Sequence, residues 1–191
     1  MTSDEALMLE FQGGSRAAFE ELFARYRKPL YSFFARRVNN SERAEDLTQE
    51  TFLAVIRAVS RYEPRASVRT YLYGIALKLL AAERRKFFTN STAGQPAREP
   101  KTDGTSESVL WVRQALEKLD APEREILMLR EYEQLSYSDI AELLRIPVNT
   151  VRSRLFRSRL AFKSYLESQG KTNSSLGPSP EHLHPRRRGM Q

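Results

Sequence analysis

The sequence contains no cysteine. Disulfides, cysteine-ligated metal centres and thiolate nucleophiles are therefore excluded. Histidine is nearly absent: the two that occur, His182 and His184, stand together near the end of the chain. A His-x-His pair can hold a metal weakly, but a chance pair in a polar tail is the simpler reading. There is no glycine-rich phosphate loop and no metal-ligand spacing, so no catalytic residue, cofactor or small-molecule substrate is expected. No apolar run approaches the roughly 20 residues of a bilayer span. Met1 to Glu10 carries Asp4, Glu5 and Glu10 where a secretion signal needs a positive start and an apolar stretch. These absences point to a cytoplasmic protein that is not an enzyme.

What is abundant is positive charge. Thirty-one Lys and Arg against 24 Asp and Glu leave a formal net charge of +7 on 191 residues. Such a balance favours a polyanionic partner, nucleic acid or an anionic membrane surface. The length suits one ordinary domain or two small ones.

Apolar residues recur at steps of three and four, the spacing of a helix face. Phe19, Leu22, Phe23, Tyr26, Leu30, Phe33 and Phe34 form one such run. Pro29 inside it lacks an amide proton and predicts a kink or break. Asn39-Asn40-Ser41 reads as a turn. Asn40 or Ser41 is placed to cap a second helix, with Glu42, Glu45 and Asp46 at its positive end. Leu47, Thr51, Val55 and Ala58 mark its inner face. Tyr62 to Arg65 breaks it, and a third helix is expected from Ser67 or Val68. That helix carries Leu72, Ile75, Ala76 and Leu79 and ends on Arg84, Arg85 and Lys86.

From Thr89 to Ser108 polar residues, Gly and Pro replace the apolar rhythm, as in a flexible linker. Helical spacing resumes with Val109, Val112, Leu116 and Leu119. Asp120 and Glu123, around Pro122, look like a capping box for the next helix, and Ser136 with Asp139 repeats the pattern. Residues 168–191, rich in Ser, Pro, Gly and Arg, predict a disordered basic tail. With no strand pattern anywhere, the expected fold is all-α. It has two small helical domains (1–88 and 109–168), the linker 89–108 and the tail 169–191.

Leu135 to Arg154 is the most informative stretch. A short capped helix, a turn of three or four residues and a longer helix follow one another, with the small Ala141 permitting a close crossing. Ile140, Leu144, Ile146, Val151 and Leu155 would fill the space between them. That is a helix-turn-helix. Arg145 opens the turn where glycine is common, because the backbone there needs unusual freedom. The second helix carries Arg152, Arg154, Arg157, Arg159 and Lys163, with Thr150 and Ser153 near its start. Guanidinium groups so spaced suit phosphates and guanine edges in a major groove. A basic helix alone is more often a solvated face; the capped partner helix and the spacing favour DNA.

At these residues the sequence resembles region 4 of sigma-70-family factors, in their extracytoplasmic-function group. The matching residues are Arg124-Glu125-Ile126, Leu135-Ser136, Asp139-Ile140-Ala141 and Thr150-Val151-Arg152-Ser153-Arg154-Leu155-Phe156-Arg157. The N-terminal block independently resembles region 2 through Ala44-Glu45-Asp46-Leu47-Thr48-Gln49-Glu50-Thr51-Phe52, Tyr71-Leu72-Tyr73-Gly74-Ile75-Ala76 and Arg84-Arg85-Lys86. The resemblance covers about residues 15–90 and 109–166.

The resemblance implies a subunit that brings RNA polymerase core to promoters and initiates transcription. Asp46, Gln49 and Glu50 would dock on the β′ clamp helices, with the β flap a further contact. Arg69, Tyr71, Tyr73, Lys78, Arg84, Arg85 and Lys86 would melt and hold the −10 element on a basic, aromatic surface. Tyr71 stands where the family usually has Trp, and Lys78 where it commonly has Asn. Core packing is the competing role for Tyr71 and Tyr73. Thr150, Arg152, Ser153, Arg154, Phe156 and Arg157 would read the −35 element. The linker is too short to fold as a region 3 domain. An anti-sigma factor is the further partner implied. The competing reading is a free-standing helix-turn-helix regulator that never meets core polymerase.

Overall fold

The computed structural model describes residues 2–38, 40–90 and 107–174, with side chains for 2–38, 40–86 and 109–168. Eight α-helices account for most of them, and no strand occurs among the described residues. The all-α expectation holds.

The first four helices form one bundle. Helix α1 (Asp4–Gln12) starts where the Ser3 hydroxyl accepts from the Ala6 amide. Gly14, at φ +97°, turns the chain into α2 (Arg16–Ala35), which Ser15 caps in the same way. Pro29 does not break α2: the helix runs through it. Tyr26 and Leu30 on either side are buried, as are Phe33 and Phe34 one turn on. Burying large side chains contributes roughly 1.5–3 kcal/mol each, enough together to offset the roughly 3 kcal/mol a mid-helix proline costs.

Asn40, not Ser41, caps α3 (Ser41–Ala58), its side chain accepting from the Arg43 amide at 3.0 Å. A 3₁₀ turn, Val59–Arg61, follows. Helix α4 (Val68–Asn90) continues past the basic cluster at Arg84 to Lys86. Its buried stripe is Val68, Leu72, Ala76 and Leu80, shifted by one residue from the expected Ile75 and Leu79, which are only partly buried.

The second bundle is α5 (Glu107–Glu117), α6 (Ala121–Glu131), α7 (Tyr137–Leu144) and α8 (Val148–Ser174), with α5, α6 and α7 all resting on α8. Ser158 of α8 is fully buried, and its hydroxyl donates to the carbonyls of Arg154 and of Glu123 in α6. Asp120 does stand at the start of α6, but its side chain makes no cap hydrogen bond, so no capping box forms there. Glu123 instead faces Arg157 of α8 at 3.6 Å. Helix α8 continues to Ser174, past Ser168 where the sequence suggested it ends; 175–191, with both histidines, lie outside the described residues.

Between α7 and α8 the chain turns through Arg145 at φ 52°, ψ 47°, the left-handed conformation. Its amide donates to the Glu142 carbonyl, and that of Ile146 to Ala141 at 3.0 Å. A side chain with a Cβ costs about 1–2 kcal/mol in this conformation, while glycine loses more entropy on folding. We expect Arg145→Gly to raise stability by up to ~1 kcal/mol, read as a small rise in urea midpoint with unchanged m.

Candidate nucleic-acid interface

Helix α8 crosses α7 with Val151 and Leu155 buried on Ile140. That register turns Arg152, Ser153, Phe156 and Arg157 outward. Phe156 is 70% exposed and Leu160, one turn further, 61%. The Ser153 hydroxyl donates to the Thr150 carbonyl, and Arg152 lies 3.5 Å from the Asn149 side-chain oxygen. Thr150 and Arg154 are half-buried at the edge of this face. The face is cationic, open and built on a rigid helix pair, the requirement for entering a major groove.

A capping box starts α7. Asp139 accepts from the Ser136 amide and hydroxyl, and the Ser136 hydroxyl accepts from the Asp139 amide. The Thr70 hydroxyl of α4 donates to the other Asp139 oxygen at 2.7 Å. Burial alone would raise the Asp139 pKa, but these hydrogen bonds outweigh it and hold the carboxyl below its ordinary value. A depressed folded-state pKa gives stability that is complete above the unfolded value near 4 and is lost as pH falls through and below it. Asp139→Asn should therefore cost ~1 kcal/mol at pH 7. The stability gap between variant and parent should be full at neutral pH and should narrow as pH falls through and below the ordinary carboxyl range, read from melting curves across pH.

On α3, Asp46, Gln49 and Glu50 share the outward face. Arg43 lies beside them, 3.6 Å from Asp46 and 3.0 Å from Glu50. Two residues continue this face that periodicity missed, Leu53 and Ile56, 46% and 43% exposed. Their signal lay in the spacing Asp46, Gln49, Leu53, Ile56, one stripe in which acid and amide give way to aliphatics.

The residues of α4 are dispersed. Lys78, Arg84, Arg85 and Lys86 are exposed. Tyr71 is half-buried, its ring 5.3 Å from that of Tyr62. Tyr73 is a core residue: it is 3% exposed, 5.4 Å from the Phe33 ring, and burial pushes its hydroxyl pKa well up with Glu133 adding to the rise. Tyr73 is thus packed between α2 and Glu133 of the second bundle, whereas Tyr71 keeps part of its ring at the surface. A cleft of about 630 Å³ includes Tyr71, Gly74 and Lys78 of α4 on one wall and Glu142 and Leu143 of α7, with Arg145 of the following turn, on the other.

Helix α7 thus lies against the α4 face, and ion pairs join the two bundles. Arg37, in the turn just after α2, has its side chain 2% exposed. It donates to Glu125 from two nitrogens at 3.1 and 3.0 Å, to Glu133 at 3.1 Å and to the Phe33 carbonyl, while stacking 3.8 Å over the Phe33 ring. Arg36 holds both Glu133 oxygens at 3.0 Å and lies over Tyr132. Arg84 approaches Glu125 at 3.8 Å, and Arg69 reaches the Glu133 carbonyl at 3.4 Å. Nothing periodic in the sequence marks Arg36, Arg37 or Glu133, because each partner lies about 90 residues away.

Among the described residues no helix is long and apolar enough to cross a membrane, and no three acidic or histidine side chains gather as a metal site. Comparison with known proteins matches residues 22–86 to sigma-70 region 2 and 110–162 to sigma-70 region 4. The RNA polymerase sigma-H factor of Pseudomonas aeruginosa is 30% identical over 181 residues, covering 86% of this chain and 94% of that protein. The ECF RNA polymerase sigma factor SigC of Mycobacterium tuberculosis is 34% identical over 160 residues, 81% of this chain and 86% of that one. Among solved structures, CnrH in complex with the cytosolic domain of CnrY aligns with a TM-score of 0.65 at 23% identity, over 87% of this chain and 99% of that one. The sigma factor RpoE of Bartonella quintana, in complex with the anti-sigma factor NepR, also aligns at 0.65, with 22% identity over 78% and 96%. At these identities the two structures speak to the fold.

Proposed function

This chain belongs to the sigma-70 family of RNA polymerase sigma factors, in its extracytoplasmic-function group, and from that premise we propose which of its surfaces does what. As a sigma factor it directs core polymerase to specific promoters and initiates transcription, region 2 melting and reading the −10 element and region 4 reading the −35 element. The observation that carries the residue assignment is the pairing of two separate exposed faces on two linked bundles, in the order the family requires.

Residues 1–88 serve as the region 2 domain, 109–168 as the region 4 domain, 89–108 connect them and a basic tail follows. The outward face of α3, with Asp46, Gln49 and Glu50, docks on the β′ clamp helices. Carboxylates and an amide suit a basic partner, and the adjoining Leu53 and Ile56 supply apolar area. The α4 face, with Arg69, Tyr71, Lys78, Arg84, Arg85 and Lys86, takes the single strand at −10; half-buried Tyr71 beside the cleft supports a stacking role. Tyr73 serves that surface from beneath, as its packing support. Helix α8 reads −35 through Arg152, Ser153, Phe156 and Arg157, with Thr150 and Arg154 at its flank, and region 4 also meets the β flap. The likeness to RpoE, solved with an anti-sigma factor, supports an anti-sigma factor as a further partner. The protein is a non-enzymatic subunit acting in the cytoplasm, without cofactor or small-molecule substrate.

In vitro transcription with core polymerase and this protein on a randomised promoter library tests the reading. Transcripts should arise only with both present, and the selected promoters should share two spaced elements. Transcription no greater than with core alone would leave only a free-standing DNA-binding protein.

A further inference from the structure

We propose that Arg43 of α3 is a positioning residue for strand capture: it screens Glu83, so that the basic end of α4 offers phosphates no bare carboxylate of its own. The proposal rests on the promoter-recognition reading above.

The composition of α4 sets the problem. Between Val68 and Asn90 the helix carries Arg69, Lys78, Arg84, Arg85 and Lys86, and Glu83 is its single acidic residue. Glu83 stands directly before the basic cluster, its side chain 26% exposed. Its carboxyl is held below the ordinary range, chiefly by hydrogen bonding to Arg43, so it is ionised at neutral pH. A bare carboxylate at that place would repel the phosphates that Arg84, Arg85 and Lys86 attract.

The geometry of Arg43 answers it. Its Nε donates to one Glu83 oxygen at 2.9 Å, and a terminal nitrogen donates to the other at 2.8 Å. This bidentate fork leaves neither oxygen without a cation. The remaining nitrogen donates to Glu50 at 3.0 Å and lies 3.6 Å from Asp46. Three carboxylates therefore converge on one guanidinium, two from the α3 docking face and one from α4.

Packing alone does not call for the pair. The two helices already contribute Leu47, Val55, Leu72, Ala76 and Leu80 to a common core. An ion pair with a quarter of each side chain in water adds little to stability. Its larger effect is on the field that an approaching strand meets.

Binding of a labelled random single-stranded DNA 20-mer by the full-length chain, without core polymerase, isolates that field from docking. Arg43→Gln should weaken binding by roughly threefold or more beyond Arg16→Gln, a control with the same net charge on a side chain 90% exposed. Adding Glu83→Gln to Arg43→Gln should restore binding to within about twofold of the parent, and Arg43→Lys should stay within the same range. Raising the salt concentration should shrink the Arg43→Gln deficit. Circular dichroism reports folding. If Arg43→Gln does not fold, Arg43→His compared at about pH 6 and about pH 9 replaces it. Its binding should fall more than the parent's as the imidazole, set among Asp46, Glu50 and Glu83 with Lys86 acting on Glu83, loses its charge. Glu83→Gln should flatten that fall. A deficit equal to the control's, or one that Glu83→Gln leaves in place, would overturn the screen. Absence of transcription with core polymerase would overturn the promoter reading and leave the screening of Glu83 standing.

Discussion

Asp46→Arg/Glu50→Arg should reduce promoter-specific transcription by at least a hundredfold without altering the melting temperature appreciably. Both side chains are substantially exposed, 60% and 41%, so neither is part of the core. Their only described partner is Arg43, and it does not depend on them. Glu83 of α4 grips the Arg43 guanidinium at 2.9 and 2.8 Å, and that grip holds the Glu83 carboxyl below its usual range. Reversal therefore leaves the α3–α4 pairing in place and acts on whatever meets α3 from outside. Truncating one partner of a desolvated charge pair costs about 2–5 kcal/mol, and each ~1.4 kcal/mol is tenfold; placing like charges opposite a basic helix costs more. Gel filtration with core polymerase separates the causes. Co-elution with core at wild-type affinity would remove α3 from the docking surface.

Phe33→Ala should lower stability by about 3–5 kcal/mol, the usual loss for a fully buried aromatic. Roughly ten degrees of melting temperature should go with it. The ring is completely buried, edge-on to Phe34 at 5.1 Å and 5.4 Å from Tyr73. It also forms the floor on which Arg37 lies. Phe34→Ala makes the contrast: it empties a comparable core volume without removing the ring beneath Arg37, so its loss in urea unfolding should be smaller by about 0.5–2 kcal/mol. Equal losses from the two variants would show that the Arg37–Phe33 stacking adds nothing to the core.

The legible part of this molecule was whatever depends on near neighbours in the chain. Caps at Asn40 and Ser136 follow from residues three apart, and both form. The left-handed turn at Arg145 was likewise visible as a departure from glycine, and the backbone adopts it. Capping failed as a guide at Asp120, because Glu123 is turned to Arg157, a partner 34 residues on. Pro29 misled for the same reason: local propensity argued for a break, and burial on both sides of it prevailed. Tyr71 and Tyr73 were indistinguishable in sequence. They point in different directions because residues two apart on a helix do not share a face, and only the position of Phe33 decides which of them is inside. The joint between the bundles was the least legible, since Arg37 and Glu133 are 96 residues apart.

Four charged side chains, Arg36, Arg37, Glu125 and Glu133, join the two bundles. Buried ion pairs come close to balancing the loss of their hydration, so this joint sets the orientation of one bundle on the other more than it adds to the stability of either.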